Sequence, residues 1–257
     1  MSAIYSKSIV PFTLNNNTLY NYKSFANSGA VFTGTGNNVL ETINVAIPTA
    51  NTSVGNVTYT NITDGPSVIK SESEFTTAAT LAKFTGKDIH VGSGKEFTTL
   101  SAAVARAVSG DKIYVDEGVY LSDYSIISNK NLAIIGLGKG AEFKKVAAIP
   151  NQKAIFVSYK SNLYVQNIIF SDAAVPDKNG AGIRFEGGTL TIVDSTFQNN
   201  ENGILTIATN PGYGKIWINH STFTNNGKNG VGQTHAMYIG EIDFFEIKNS
   251  TVRGTTQ

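Results

Sequence analysis

Four segments in the second half of the chain repeat one pattern of residue types, and they start 26 to 29 residues apart. Each segment has an apolar-x-apolar stretch that is followed by polar positions and ends on Phe or Val. The four copies superpose without gaps: Asn162–Phe170, Thr189–Phe197, Lys215–Phe223 and Phe244–Val252. One copy is too small to bury its apolar side chains, whereas stacked copies bury a continuous core. The repeat therefore predicts a solenoid.

The apolar residues in each copy alternate with the two-residue period of a β-strand. When the strands of successive copies pair side by side, about 4.8 Å apart, equivalent residues stack in columns along the solenoid. We expect Leu163, Leu190, Ile216 and Phe245 to form one such column inside a single coil. This expectation underlies every placement of a side chain that follows.

Upstream of the repeats, Thr99 is placed to cap a short helix that runs to about Val108, and Gly110 is placed to end it. With this helix, the chain from about His90 to Gln257 resembles the right-handed parallel β-helix of the pectate-lyase-like superfamily. The resemblance implies an all-β protein, a right-handed parallel β-helix (solenoid) with a short N-terminal capping helix. It implies little about activity, because the fold hosts lyases, hydrolases, epimerases, phage tailspikes and inert stalks.

The region before the helix has a different composition. Residues 1–87 are rich in Thr and Asn, with short apolar runs broken by Gly, Asn and Pro, so we expect a separate β region with a docking or extension role. Residues 88–257 are expected to form the β-helix, incomplete at its C-terminal end. An uncovered last coil exposes unpaired strand edges. We therefore expect the natural chain to continue past Gln257, to oligomerise, or to place a partner chain over that coil.

Composition excludes several classes of protein. The 20 Lys and Arg nearly balance the 19 Asp and Glu, so nucleic acid is not an expected partner. No apolar stretch is long enough to span a membrane, and no signal peptide is seen. The absence of Cys excludes a disulfide framework and a cysteine nucleophile. Because the composition is similar to that of virion proteins and of bacterial proteins exported without a signal peptide, we expect an extracellular, cell-surface or virion location.

Asn167, Asp194, His220 and Asn249 fall in one column of the aligned copies, directly before a column rich in Ser. Asn-like residues at a tight turn satisfy the backbone groups of that turn and stack from one coil to the next. We interpret this column as structural. Asp194 and His220 are therefore not combined with Ser221 into a hydrolase triad.

A second strand in each copy carries the candidate site. Placing Ile183 and Phe185 against Met237 and Ile239 keeps the inward positions apolar, and the residues between them then point outward. Arg184 and Tyr238 are therefore expected on the outer surface, two coils or roughly 10 Å apart. His235 and Glu186 are expected at the flanks of these strands, and Thr206 near the same outward column of the intervening coil.

Such a surface suits an extended acidic polysaccharide, because sugar rings stack on Tyr and Arg pairs with uronate carboxylates. The chemistry it would support is β-elimination, in which a base removes the proton next to the carboxyl group and a cation neutralises the developing enolate. His235 or Tyr238 is the candidate base or acid, and Arg184 or Lys215 the candidate neutralising cation. Trp217 is a candidate second sugar platform. The alternative is structural: His235 caps a turn, and Arg184 simply pairs with Glu186.

No metal site or other cofactor is predicted. Calcium would need clustered carboxylates, and Asp172, Asp177, Glu186 and Asp194 fall in different columns of the aligned copies. A calcium site therefore has no convergent support in the sequence.

The predicted function is that of a carbohydrate-active protein that acts on an acidic polysaccharide by lyase-type or epimerase-type chemistry. A hydrolase is disfavoured because no paired Asp/Glu columns occur. Two alternatives stay open: a non-catalytic polysaccharide-binding adhesin that uses the same surface, and a tailspike-like or structural assembly protein.

Overall fold

The computed structural model describes the backbone of seven strands within residues 4–58, and it describes residues 80–207, 214–227, 234–240 and 242–253 in full. The seven N-terminal strands are short. They are β1 (Ile4–Ser6), β2 (Phe12–Asn15), β3 (Thr18–Tyr22), β4 (Phe32–Thr35), β5 (Val39–Thr42), β6 (Ser53–Val54) and β7 (Val57–Thr58).

The helix α1 and strands β8 to β23 follow in the part of the chain that is described in full. In chain order they are β8 (Asp88–Val91), α1 (Leu100–Arg106), β9 (Lys112–Val115), β10 (Gly118–Leu121), β11 (Ser125–Ser128), β12 (Leu132–Gly136), β13 (Ala141–Lys144), β14 (Ala154–Gln166), β15 (Ile168–Ser171), β16 (Ala181–Val193), β17 (Thr196–Gln198), β18 (Asn202–Thr206), β19 (Lys215–Asn219), β20 (Thr222–Thr224), β21 (His235–Ile239), β22 (Phe244–Lys248) and β23 (Thr251–Arg253).

These strands form a parallel β-helix with three sheets that run along its axis. Sheet I contains β8, β9, β12, the second halves of β14 and β16, β19 and β22. Sheet II contains β10, β13, β15, β17, β20 and β23. Sheet III contains β11, the first halves of β14 and β16, β18 and β21. Every pairing between these strands is parallel, as the repeat predicts.

The interior of the coil is filled by columns of apolar side chains. Leu163 pairs with Leu190, Leu190 with Ile216, and Ile216 with Phe245, and all four are buried in the main core. The predicted column is therefore confirmed. Sheet II adds a column of Phe rings, in which Phe197 and Phe223 stack with 4.6 Å between their ring centroids.

The turn between sheets I and II holds the column that the sequence singled out. Asn167, Asp194, His220 and Asn249 have φ angles of 53°, 50°, 46° and 49°, in the left-handed region that Asn and Asp tolerate better than most residues. These φ angles agree with a structural role for the column, and Asn167 donates from Nδ2 to the backbone carbonyls of Gly136 and Gly138. The side-chain ladder at this turn runs mainly through the serines that follow. Ser195, for example, accepts a hydrogen bond from the Ile168 amide and donates one to the Val193 carbonyl.

A second ladder, at the turn between sheets II and III, is fully buried. Asn200 Nδ2 donates to the Phe170 carbonyl at 3.0 Å, and Asn226 Nδ2 donates to the Phe197 carbonyl at 2.8 Å. Asn226 Oδ1 also accepts from the Asn200 backbone amide at 3.2 Å. These amides satisfy turn backbone groups that water does not reach.

Helix α1 covers the first coil, as predicted, with Leu100, Ala103 and Val104 buried. Thr99 is the N-cap residue and accepts a hydrogen bond from the Ala102 amide. The helix ends at Arg106, earlier than expected from Gly110, because Ala107 already has an extended conformation.

The N-terminal strands extend the three sheets next to the last coil. Strand β1 pairs with β21 in sheet III, β2 with β22 in sheet I, and β3 with β23 in sheet II, all in parallel. Strands β4 and β5 add to β2 and β3. The strands beside the last coil thus come from the same chain, while the predicted domain boundary at residue 87 stays a prediction. Within the residues described, no helix is long and apolar enough to cross a bilayer.

Candidate functional site

The outer surface of sheet III carries the residues around which the candidate site was predicted. Val157, Arg184, Leu205 and Tyr238 pair in that order across four neighbouring strands and form one outward column. Arg184 and Tyr238 are both half-buried. Their predicted outward orientation and their separation by two coils are confirmed.

Thr206 does not belong to this column, and the expectation that it points outward is wrong. It pairs with Phe185, whose side chain lies in the core, and it is only 2% exposed. Its hydroxyl accepts a hydrogen bond from the Gly240 amide at 2.6 Å. Leu205 takes the outward position of this coil, so Thr206 has a structural contact where a sugar contact was expected.

Arg184 and Glu186 form an ion pair on this surface. The Nε of Arg184 donates to Oε1 of Glu186, and the two side chains are 12% and 20% exposed. Among the described residues, the terminal nitrogens of Arg184 make no hydrogen bond. Since a guanidinium group carries five N–H donors, Arg184 can hold an anionic group while it stays paired with Glu186.

His235 and Tyr238 lie side by side on strand β21. Their ring centroids are 5.8 Å apart and their planes are inclined by 45°. Tyr238 packs on a small apolar cluster that contains Val157 and Leu205, and His235 is only 7% exposed. An imidazole and a phenol, two groups able to exchange protons, therefore meet at one place on the outer surface of sheet III.

Asn202 is a polar residue of this site that the sequence reasoning missed. It occupies the same column as Ala181 and His235, one strand before His235. Its Oδ1 accepts a hydrogen bond from the backbone amide of His235 at 3.0 Å, while its buried Nδ2 has no hydrogen-bond partner among the residues that the structure describes. A buried amide without a partner costs about 1–3 kcal/mol. The sequence could have indicated this residue, because the two preceding coils have Ala in this column, where Asn202 is polar.

Lys215 and Trp217 lie on a different surface. Both belong to β19 in sheet I, where Lys215 is exposed and Trp217 is half-buried. Trp217 lies between Thr191 and Glu246, as expected, and its ring contacts that of Phe244 with 4.9 Å between centroids. The residues that the sequence grouped into one site are therefore divided between sheets III and I.

The four acidic residues considered for calcium each have a separate partner. Asp172 pairs with Lys144 at 3.5 Å and Asp177 with Lys153 at 3.4 Å. Glu186 pairs with Arg184, and Asp194 accepts a hydrogen bond from Gln166. No group of three His, Asp or Glu side chains that could hold a metal ion occurs in the part of the chain that the structure describes.

The chain matches a known protein family over most of its length. The family described as a right-handed beta helix region matches residues 48–244, which is more than half of the chain. The chain belongs to this family, which defines it as a β-helix protein of the carbohydrate-active or structural kind. No curated protein matches the chain.

Proposed function

We propose that this protein acts on an acidic polysaccharide by lyase-type or epimerase-type chemistry at the outer surface of sheet III. The observation that carries the proposal is the contact between the His235 and Tyr238 rings, 5.8 Å apart, on the sheet that also bears Arg184. We further propose an extracellular, cell-surface or virion location, since such polymers occur outside cells.

The reaction needs one group to accept a proton and another to donate one. A base takes the proton from the carbon next to the uronate carboxyl, and the electron pair left behind is held in the enolate of that carboxyl; in a lyase the pair becomes a carbon–carbon double bond only as the bond to the leaving oxygen breaks. In a lyase the glycosidic C–O bond then breaks, and the leaving oxygen takes a proton from the acid. In an epimerase the carbanion is reprotonated from the opposite face. His235 and Tyr238 supply the base and the acid.

Arg184 is proposed to bind substrate because of its distance from Tyr238. It lies two coils from Tyr238, which is roughly 10 Å, so it is too far to touch the carboxyl group that reacts beside Tyr238. We assign Arg184 to the carboxylate of another sugar along the bound chain. Asn202 acts as a positioning residue, because it holds the backbone of His235. Sheet I carries Lys215 on another surface, so Lys215 has no part in this reaction.

A second candidate function is non-catalytic binding of the same polymer. The low exposure of His235 favours it, because a buried imidazole contributes more to a stable surface than to proton transfer.

The test uses polygalacturonate, alginate and hyaluronan, with the ultraviolet absorbance of the unsaturated product as the readout for a lyase and NMR of the recovered polymer for an epimerase. Loss of a general acid or base lowers the rate by about 10²–10⁴, so we expect turnover to fall by that factor in His235→Ala and in Tyr238→Phe.

The chain offers a matched control pair, because the rings of His90 and Tyr114 also stack on sheet I, with 5.4 Å between their centroids. His90→Ala and Tyr114→Phe are expected to retain turnover. Binding without turnover in the parent protein would reject the enzyme and support the adhesin.

A further inference from the structure

A short segment crosses the outer surface of sheet I and creates a pocket there. We call residues 80–84 the strap. Its Phe84 is 8% exposed and packs over Tyr164, with 6.3 Å between ring centroids. The strap is fixed at one point by Lys112, whose Nζ donates to the Phe84 carbonyl at 3.2 Å and pairs with Asp88 at 2.8 Å. The strap is thus an anchored part of the surface.

Between the strap and sheet I lies a pocket of about 160 Å³. A cavity of about 150 Å³ accommodates a six-membered ring. Phe84, which covers the buried Tyr164, supplies apolar wall, and Asn131, Asn162 and Thr189 line the pocket from sheet I. This combination of aromatic wall and convergent polar groups is typical of small-molecule sites.

The polar side chains in this pocket have unused hydrogen-bonding capacity. Over residues 80–207 and the other described ranges, the side chains of Asn162, Thr189 and Thr191 make no hydrogen bond, and Asn131 uses only its Oδ1, which accepts from the Asn162 amide at 2.9 Å. Strand pairing spaces Asn162 and Thr189 about 4.8 Å apart along the axis. A row of amide and hydroxyl groups at that spacing suits the hydroxyl groups on one edge of a sugar ring.

Two lysine side chains lie in or beside the pocket. Among the described residues that line it none is acidic and Lys83 of the strap is basic, and Lys215 follows Thr189 in the same column of sheet I. Lys83 and Lys215 form no ion pair with any described residue. The electrostatics of this pocket therefore favour an anion.

We propose that the strap pocket binds one anionic sugar residue of the uronate type, at a site separate from the surface of sheet III. The sugar ring fits against the edge of Phe84, its hydroxyl groups bond to Asn162 and Thr189, and its carboxylate pairs with Lys83. This inference goes beyond the proposed catalytic function and does not require it, because a β-helix adhesin would use the same pocket.

The first experiment titrates the full chain with D-galacturonate and, as the neutral counterpart, D-galactose, and follows backbone amide shifts by NMR. We expect D-galacturonate to shift the amides of Asn162 and Thr189 and to bind more tightly than D-galactose. Equal affinity for the two sugars, or shifts confined to Arg184 and Tyr238, would overturn the proposal. Because the two surfaces give separate signals, failure at sheet I is distinguishable from failure at sheet III.

Two variants complete the test. Lys83→Gln is expected to raise the dissociation constant for D-galacturonate about tenfold or more, as for the loss of one hydrogen bond to a charged group. Lys87→Gln is the matched control, since Lys87 is exposed on the adjoining stretch of chain and does not line the pocket. Thr189→Phe fills the pocket and is expected to abolish binding. Unchanged affinity in Lys83→Gln and Thr189→Phe, with circular dichroism spectra like the parent's, would reject the site.

Discussion

The phenol of Tyr164 donates a hydrogen bond to Oε1 of Gln166 at 2.9 Å on the outside of the β-helix, yet Tyr164 has no exposed surface. Phe84 of the strap covers it. Burial, with a smaller contribution from the charge of Asp194, raises the pKa of the Tyr164 phenol above its ordinary value. A side chain that points away from the core thus has the environment of a core residue.

We predict that Phe84→Ala exposes this phenol. The substitution removes a buried aromatic side chain, so the free energy of unfolding is expected to fall by about 3 kcal/mol, and the pKa of Tyr164 is expected to return toward 10, its unperturbed value. Spectrophotometric titration of tyrosinate, with Tyr164→Phe as the blank, measures the shift. A Tyr164 titration that is the same in Phe84→Ala and in the parent would contradict the role given to the strap.

Alkaline pH is expected to destabilise the protein through the same residue. The folded state keeps the Tyr164 phenol protonated to higher pH than the unfolded state, so above about pH 10 the folded state binds more protons. Stability therefore falls as pH rises through that range. Denaturant unfolding at neutral pH and above pH 10 measures the slope. Tyr164→Phe has no ionisable group at this position, and its slope is expected to be smaller than that of the parent.

Freeing Arg184 is expected to strengthen the binding of polyuronate. Glu186→Gln removes the carboxylate that pairs with Arg184, so the guanidinium group becomes fully available to sugar carboxylates, and binding becomes more sensitive to salt. Asp172→Asn makes the same change of charge at the Asp172–Lys144 pair and serves as the control. Affinity chromatography on immobilised polygalacturonate compares the two. If the column retained Glu186→Gln more weakly than Asp172→Asn, Arg184 would not belong to the binding surface.

The buried asparagine ladder is expected to be essential for stability. Asn226→Ala leaves the Phe197 carbonyl and the Asn200 amide without their partner, and each unpaired buried group costs about 1–3 kcal/mol. We expect a loss of about 2–5 kcal/mol in the free energy of unfolding, measured by denaturant titration. Thr224→Ala, a nearby half-buried position, is expected to change it by less than about 1 kcal/mol.

The columns of the β-helix could be predicted because alternation of apolar residues fixes which side chains point inward. Thr206 was misplaced because Ile204 and Leu205 are adjacent apolar residues and leave the alternation ambiguous. The register is fixed by Gly203, where an added Cβ would lie 2.8 Å from the Phe223 ring, and by Gly182, where it would lie 2.7 Å from the Phe197 ring. Glycine in this column makes room for the Phe rings, and the second residue after each glycine points outward.

The division of the site between two sheets could not be predicted from the repeats. Strand β16 turns from sheet III into sheet I at Gly187 and Gly188, whose φ angles are 88° and 96°, and aligned copies contain no information on the angle of that bend. The strap could not be predicted from the repeats either. It belongs to no repeat, and it meets Tyr164 only through a contact between residues distant in sequence.

The parallel pairing of β1, β2 and β3 with β21, β22 and β23 has a consequence for synthesis on the ribosome. Tyr5 pairs with Tyr238, a residue far later in the sequence, so β1, β2 and β3 emerge long before the strands with which they pair. Contacts of such long range slow folding. The central coils have neighbours close in sequence and form first, and β1, β2 and β3 join the β-helix only after β21, β22 and β23 have been synthesised.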